Sequence, residues 1–105
     1  MTLSNSRLSY RDEYTLMQQA IDLPNGARAF IGTHGDAINY RLRLNKARQL
    51  DRNLNAQAYE PGHLLYGGSV FDELIITLRE DTEGNWWVYL EKSKQPYSEP
   101  IEAAE

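Results

Sequence analysis

The stretch Leu74-Ile75-Ile76-Thr77-Leu78-Arg79-Glu80-Asp81-Thr82-Glu83-Gly84-Asn85-Trp86-Trp87-Val88-Tyr89-Leu90-Glu91-Lys92 decides the fold class. Both of its ends are rich in β-branched and aromatic residues, which suit a pleated surface, and the charged, glycine-containing middle interrupts them. The reading is a β-hairpin: one strand within residues 69–80 centred on 74–78, a turn over 81–85, and a second strand over 86–92. Successive strand residues point to opposite faces, so Trp86 and Trp87 cannot both enter a core. With Trp86 inward beside Val88 and Leu90, Trp87 and Tyr89 pair on the other face. Such a pair suits cross-strand packing, base stacking or a protein contact, which makes Trp87 and Tyr89 the candidate protein interface. The simplest cover for them is the preceding loop, residues 53–68, which Tyr59, Leu64, Leu65 and Tyr66 would tack down.

The strongest helix signal lies before that loop. Thr33 and Asp36 have the spacing of a capping box, with the hydroxyl accepting from a first-turn amide and the carboxylate offsetting the positive helix end. The pattern predicts a helix over 36–54. Ala37, Tyr40, Leu44, Ala47, Leu50 and Leu54 recur on one side of it, which is the side expected to pack. Residues 27–32 read as a short strand. Ahead of it, Ser9 and Asp12 resemble a capping pair, and Tyr10, Tyr14, Met17 and Ile21 form a helical stripe ended by Pro24-Asn25-Gly26. A β-hairpin on Asn25-Gly26 is the competing reading of that segment. The expected fold is α+β: a small, mainly antiparallel sheet with one long helix packed on one face. Residues 1–9 are expected to be a flexible start, 10–92 a single domain, and 93–105 an acidic tail.

The composition sets limits on function. At 105 residues, 41% hydrophobic and 25% charged, the chain suits one soluble domain with its own core. It has no cysteine, so thiol catalysis and thiolate metal sites are excluded and a reducing compartment fits. No signal peptide or membrane span is read, and the expected location is cytoplasmic. The net charge of −4 conceals a division. Residues 1–58 carry eight basic against five acidic residues, and 59–105 carry three against ten, so the halves stand at +3 and −7.

The basic half concentrates on the long helix. Arg41, Asn45, Arg48 and Arg52 follow at i, i+4, i+7 and i+11 and share a narrow face. No carboxylate stands at the compensating i+4 positions, and like charges so spaced cost a few tenths of a kcal/mol. An outside anion would relieve them, and nucleic-acid phosphate is the first candidate, with Asn45 placed to reach a base edge. An acidic protein surface is another, and so is the acidic half of the same chain, with Asp72, Glu73 and Glu80 available for intramolecular pairs. Arg43 falls within the apolar arc, where its stem is expected to snorkel.

No catalytic set is read. Asp72, Glu73, Glu80, Asp81, Glu83 and Glu91 crowd the hairpin, which invites comparison with metal-dependent nucleases. Those enzymes place a lysine two residues after the strand glutamate, whereas Glu91 is followed by Lys92, Ser93 and Lys94. These carboxylates read instead as charges guarding an apolar strand. His34 and His63 are taken as surface or loop residues, and Gly67-Gly68-Ser69 as a tight turn. No metal or cofactor site is assigned. The sequence alone leaves the oligomeric state open.

Two stretches resemble a known group. Asp36-Ala37-Ile38-Asn39-Tyr40-Arg41-Leu42-Arg43-Leu44, and Gly67-Gly68-Ser69-Val70-Phe71-Asp72-Glu73-Leu74 with Trp87-Val88-Tyr89-Leu90-Glu91-Lys92, are similar to small, functionally unassigned proteins of phages and other mobile elements. The resemblance implies a small accessory protein and supplies no mechanism. The functional expectation is a non-enzymatic binding protein that presents the basic helix face to an anionic partner, nucleic acid first. Its alternative is a protein-interaction module or inhibitor that uses the acidic hairpin and the exposed aromatics.

Overall fold

The computed structural model describes residues 10–93. Within them the order is α1 (Arg11–Asp22), β1 (Ala27–Gly32), α2 (His34–Ala58), a single-turn 3-10 helix (Val70–Glu73), β2 (Leu74–Glu80) and β3 (Trp86–Lys92). The strands form one antiparallel sheet in the order β1-β3-β2, so the last strand in sequence is the middle strand in space. The α+β class and the helix-on-sheet arrangement are as the sequence implies. The expectations for residues 1–9 and 94–105 lie outside the described residues. Ser93, expected to open the tail, still donates its amide to the Glu73 carbonyl at 2.7 Å.

Strand β3 organises the packing. Val88 and Leu90 are fully buried, each worth about 2 kcal/mol relative to an exposed side chain. Their neighbours are Met17 and Ala20 from α1, Ala37, Leu44 and Ala47 from α2, and Phe71 and Leu74 from the 3-10 turn and β2. Both helices therefore lie on the same face of the sheet. Trp86 packs at the edge of this core, and His34 covers it with ring centroids 4.3 Å apart.

The α1 stripe of Tyr14, Met17 and Ile21 settles the competing reading in favour of a helix. Pro24-Asn25-Gly26 is a turn, but it joins a helix to a strand. The Ser9 expectation moves by one residue: the N-cap is Tyr10, which makes no side-chain capping bond. In α2, Thr33 Oγ1 accepts from the Asp36 amide at 3.2 Å, and the helix runs longer than expected at both ends. Ala37, Leu44, Ala47 and Leu54 are buried as the wheel required, and so is Asp51, which it did not mark. Arg43 pairs at 2.6 Å with Glu13, a carboxylate buried on α1.

The expected cover for Trp87 and Tyr89 is overturned. Leu64 is 97% exposed and Tyr66 45%, and the loop returns to α2 through the Asn55 amide donating to the Gly68 carbonyl at 2.7 Å. Its apolar groups lack the periodicity that would aim them together at one surface. Gly26 shows how tightly the α1 to β1 turn is specified. Its φ is +80°, and a Cβ there would press into the Leu90 carbonyl oxygen on β3. Gly26→Ala is expected to lower stability by about 2 kcal/mol or more, read as a lower midpoint with unchanged slope in urea unfolding.

Candidate functional site

The face of the sheet away from the helices is the candidate site. Register fixes its membership: β3 places Trp87 between Phe30 of β1 and Arg79 of β2, and Tyr89 between Arg28 and Thr77. Alternation carries these side chains opposite to Val88 and Leu90. The inward set of Trp86, Val88 and Leu90 and the outward pair Trp87 and Tyr89 are therefore as the sequence assigned them. Phe30 and Ile75, which the sequence did not single out, add apolar surface at 58% and 49% exposure.

Contacts within the face hold the aromatics in place. Phe30 meets Trp87 edge to face with centroids 5.3 Å apart. The Arg28 guanidinium lies 4.3 Å over the Trp87 ring and donates to the Tyr89 hydroxyl at 3.0 Å. Arg79 lies 4.3 Å over Tyr89 and pairs with Glu91 at 3.1 Å. Each exposed cation–π contact is worth about 0.5–1 kcal/mol. Arg28 has no carboxylate partner among the described residues. The Trp87 indole donates to Asp81 Oδ2 at 2.9 Å, while Asp81 Oδ1 accepts the amides of Glu83 and Asn85 in the hairpin turn. The bond from Trp87, then those from the turn amides, hold the Asp81 carboxyl below its ordinary 3.8. A shallow cleft of about 210 Å³ opens at one end of the face between Asn25, Gly26, Arg28, Tyr89 and Glu91.

The arginine stripe on α2 has a different fate. Arg48 donates to the carbonyls of Phe71 at 3.0 Å and Leu74 at 2.8 Å, and to Asn45 Oδ1 at 2.8 Å. Burial is the main cause that lowers its pKa, and the nearby Arg52 adds to it. Arg52 pairs with Asp72 at 2.7 Å. Asp51, buried one turn after Arg48 and next to Arg52 in sequence, accepts from the Ser69 hydroxyl at 2.6 Å. Ser69 and Asp72 in turn close a capping box on the 3-10 helix. Two of the four stripe residues, Arg48 and Arg52, thus hold residues 69–74 against the helix, Asn45 steadies Arg48, and Asp72 from the acidic half is the intramolecular partner. Arg41 makes no hydrogen bond or ion pair to the described residues. The Ser69-x-x-Asp72 spacing is the same signature as Thr33-x-x-Asp36 and marks the 3-10 turn at residues 70–73, which the sequence reading includes in the strand segment 69–80.

The carboxylates of the hairpin do not converge. Asp72 faces α2, Glu91 pairs with Arg79 on the opposite side of the sheet, and Asp81 ties the turn. Among the described residues no three histidine or acidic side chains are placed to hold a metal ion. His34 and His63 are exposed, the latter stacked on Tyr59. No helix there is long and apolar enough to cross a membrane. The chain matches no protein-family model, no curated protein and no solved structure.

Two outcomes follow. Arg48→Ala strands the Leu74 carbonyl, leaves the Phe71 carbonyl with the Leu74 amide as its one donor, and is expected to cost about 2 kcal/mol in urea unfolding, whereas Arg41→Ala stays within about 0.5 kcal/mol. Because the Asp81 pKa is lowered on folding, its contribution to stability is present above pH 3.8 and is lost as the pH falls through the folded value. The stability gap between wild type and Asp81→Ala should therefore be full near neutrality and close on acidification below that point, as followed by tryptophan fluorescence.

Proposed function

We propose that this is a non-enzymatic binding protein and that its open sheet face contacts a protein partner. The observation that carries the reading is the face itself: Phe30, Ile75, Trp87 and Tyr89, flanked by Arg28 and Arg79, with no described element packed over it. Aromatic residues and arginine are the side chains enriched at the energetic centres of protein interfaces. Half-exposed apolar groups grouped on one surface, rather than scattered, are what such contacts use.

Stacking of nucleic-acid bases is less well supported on this face. The rings of Trp87 and Tyr89 already have guanidinium groups above them, and Glu91, Asp81 and Glu80 lie on or beside the sheet. The reading that places nucleic acid on the α2 stripe loses the use of Asn45, Arg48 and Arg52 to internal bonds, and Arg41 alone gives little charge. The chain's lack of cysteine fits work in the cytoplasm.

The experiment compares surfaces. Protein partners captured from cell extract by the wild-type chain should be lost with the double variant Phe30→Ser and Ile75→Ser and kept with Arg41→Ala, while thermal midpoints stay close to wild type. In parallel, a mixed-sequence single-stranded oligonucleotide is titrated at low salt. Binding to it that loses about one unit of salt slope in Arg41→Ala would favour the helix and nucleic acid instead.

A further inference from the structure

Among the described residues no strand pairs with the outer edge of β2, and the strand's own charges, Arg79 and Glu80, stand at its last two positions. Edge strands expose unpaired amides and carbonyls, and most are blunted by bulges, prolines or charge. The β1 edge is broken by a register shift between Phe30 and Gly32. β2 instead keeps one register against β3, from Leu74 opposite Lys92 to Glu80 opposite Trp86, with no proline.

Bonds at the two ends of the hairpin show which groups face out. The Ser93 amide donates to the Glu73 carbonyl at 2.7 Å, and the Asp81 amide to the Asn85 carbonyl at 2.8 Å. In that register the odd-numbered residues of β2 exchange bonds with β3, and the even-numbered ones turn their backbone groups outward. Leu74 is already occupied, since its carbonyl accepts from Arg48 and its amide donates to the Phe71 carbonyl. Ile76 and Leu78 form the centre of the bare edge. Between them, Thr77 Oγ1 is shut off from solvent with no hydrogen-bond partner among the described residues.

We propose that this edge is a self-association site, at which β2 pairs antiparallel with β2 of a second copy about a two-fold axis at Thr77. Ile76 then exchanges backbone bonds with Leu78 of the copy and Leu78 with its Ile76, about four in all, and both pairs of helices stay on one side of a continuous sheet. An axis at Ile76 would call on the occupied Leu74, and one at Leu78 would set the two Arg79 side chains diagonally across the axis. At Thr77 the hydroxyls of the two copies face each other in a closely spaced pair, where rotation about χ1 joins them. Half-exposed Ile75 comes to lie opposite the Arg79 stem of the copy, and Arg79 falls diagonal to the copy's Glu73. A contact of two strand edges is far smaller than the ~800 Å² per partner of a standard interface, so the dimer is weak and reversible.

Sedimentation equilibrium of the full chain from micromolar to ~1 mM should give a monomer–dimer equilibrium, the upper limit being set by the affinity expected of so small a contact. Amide exchange at Ile76 and Leu78, but not at Ile75 or Thr77, should slow as concentration rises. Thr77→Lys and Thr77→Glu, each checked for the wild-type fold by circular dichroism, should each be monomeric because identical charges meet at the axis. Mixed together, they should associate. A wild type that stays monomeric throughout overturns the proposal, as does Thr77→Lys dimerising like wild type. Folded lysine and glutamate variants that fail to associate when mixed overturn the register.

Discussion

A sheet of three strands has two faces, and the described residues supply helices for one of them. The middle position of β3 turns that shortage into a division of labour along a single strand. Val88 and Leu90 are fully buried beneath α1 and α2, while the residues between and beside them, Trp87 and Tyr89, carry their large rings away from the core. Because the strand has a period of two, moving the register by one residue would exchange the sets and expose the core. The site and the core are thus fixed by the same constraint, and neither can shift without the other. The two flanking strands obey it as well, with Ala27, Ile76 and Leu78 packed against the helices and Arg28, Phe30 and Arg79 outside.

The split of charge between the chain's halves has a comparable structural meaning. The basic residues of α2 and the acidic residues near β2 meet where α2 crosses the start of the hairpin. There Arg48 satisfies two carbonyls, Arg52 takes Asp72, and Asp51 accepts from Ser69. An exposed ion pair contributes about 1 kcal/mol or less, so the Arg52 and Asp72 pair alone would be a minor element. What matters is that the Leu74 carbonyl, where the 3-10 turn passes into the edge strand, has no backbone partner among the described residues, and a carbonyl shut off from water needs one. Arg48 supplies it and so anchors the first residue of the edge strand, while Arg52 holds Asp72 beside it. A stripe that looks uncompensated along the helix is compensated across the fold.

The legible part of the structure was whatever periodicity or a local cap could carry. The Leu44, Ala47 and Leu54 spacing gave the buried side of α2, Thr33 gave its start, and the alternation from Trp86 to Leu90 gave the two faces of β3. The fate of Arg48 was not legible, because its partners are backbone carbonyls more than twenty residues away, and carbonyls have no residue type to recognise. Phe30 escaped notice for a related reason. It lies in a short strand whose pairing with β3 is set by topology, so nothing in residues 27–32 alone marks it as the neighbour of Trp87. The loop around Leu64 misled in the opposite direction, since apolar composition there was read as burial although no period aimed it.

The arginines on the open face explain how that face can stand uncovered by the described residues. Bare aromatic rings side by side on a sheet invite indiscriminate association. Here a guanidinium lies over Trp87 and another over Tyr89, which hydrates the surface while Phe30 remains exposed. The two cations are not equivalent. Arg79 is balanced by Glu91, whereas Arg28 has no such balance among the described residues and stands next to the cleft. A partner that brings a carboxylate to Arg28 and an apolar group to Phe30 would satisfy both at once. One that brings only apolar surface would have to bury a charged guanidinium without a counter-charge, at a cost of several kcal/mol. On the proposed reading, specificity on this face would therefore rest on Arg28 as much as on the aromatic residues around it.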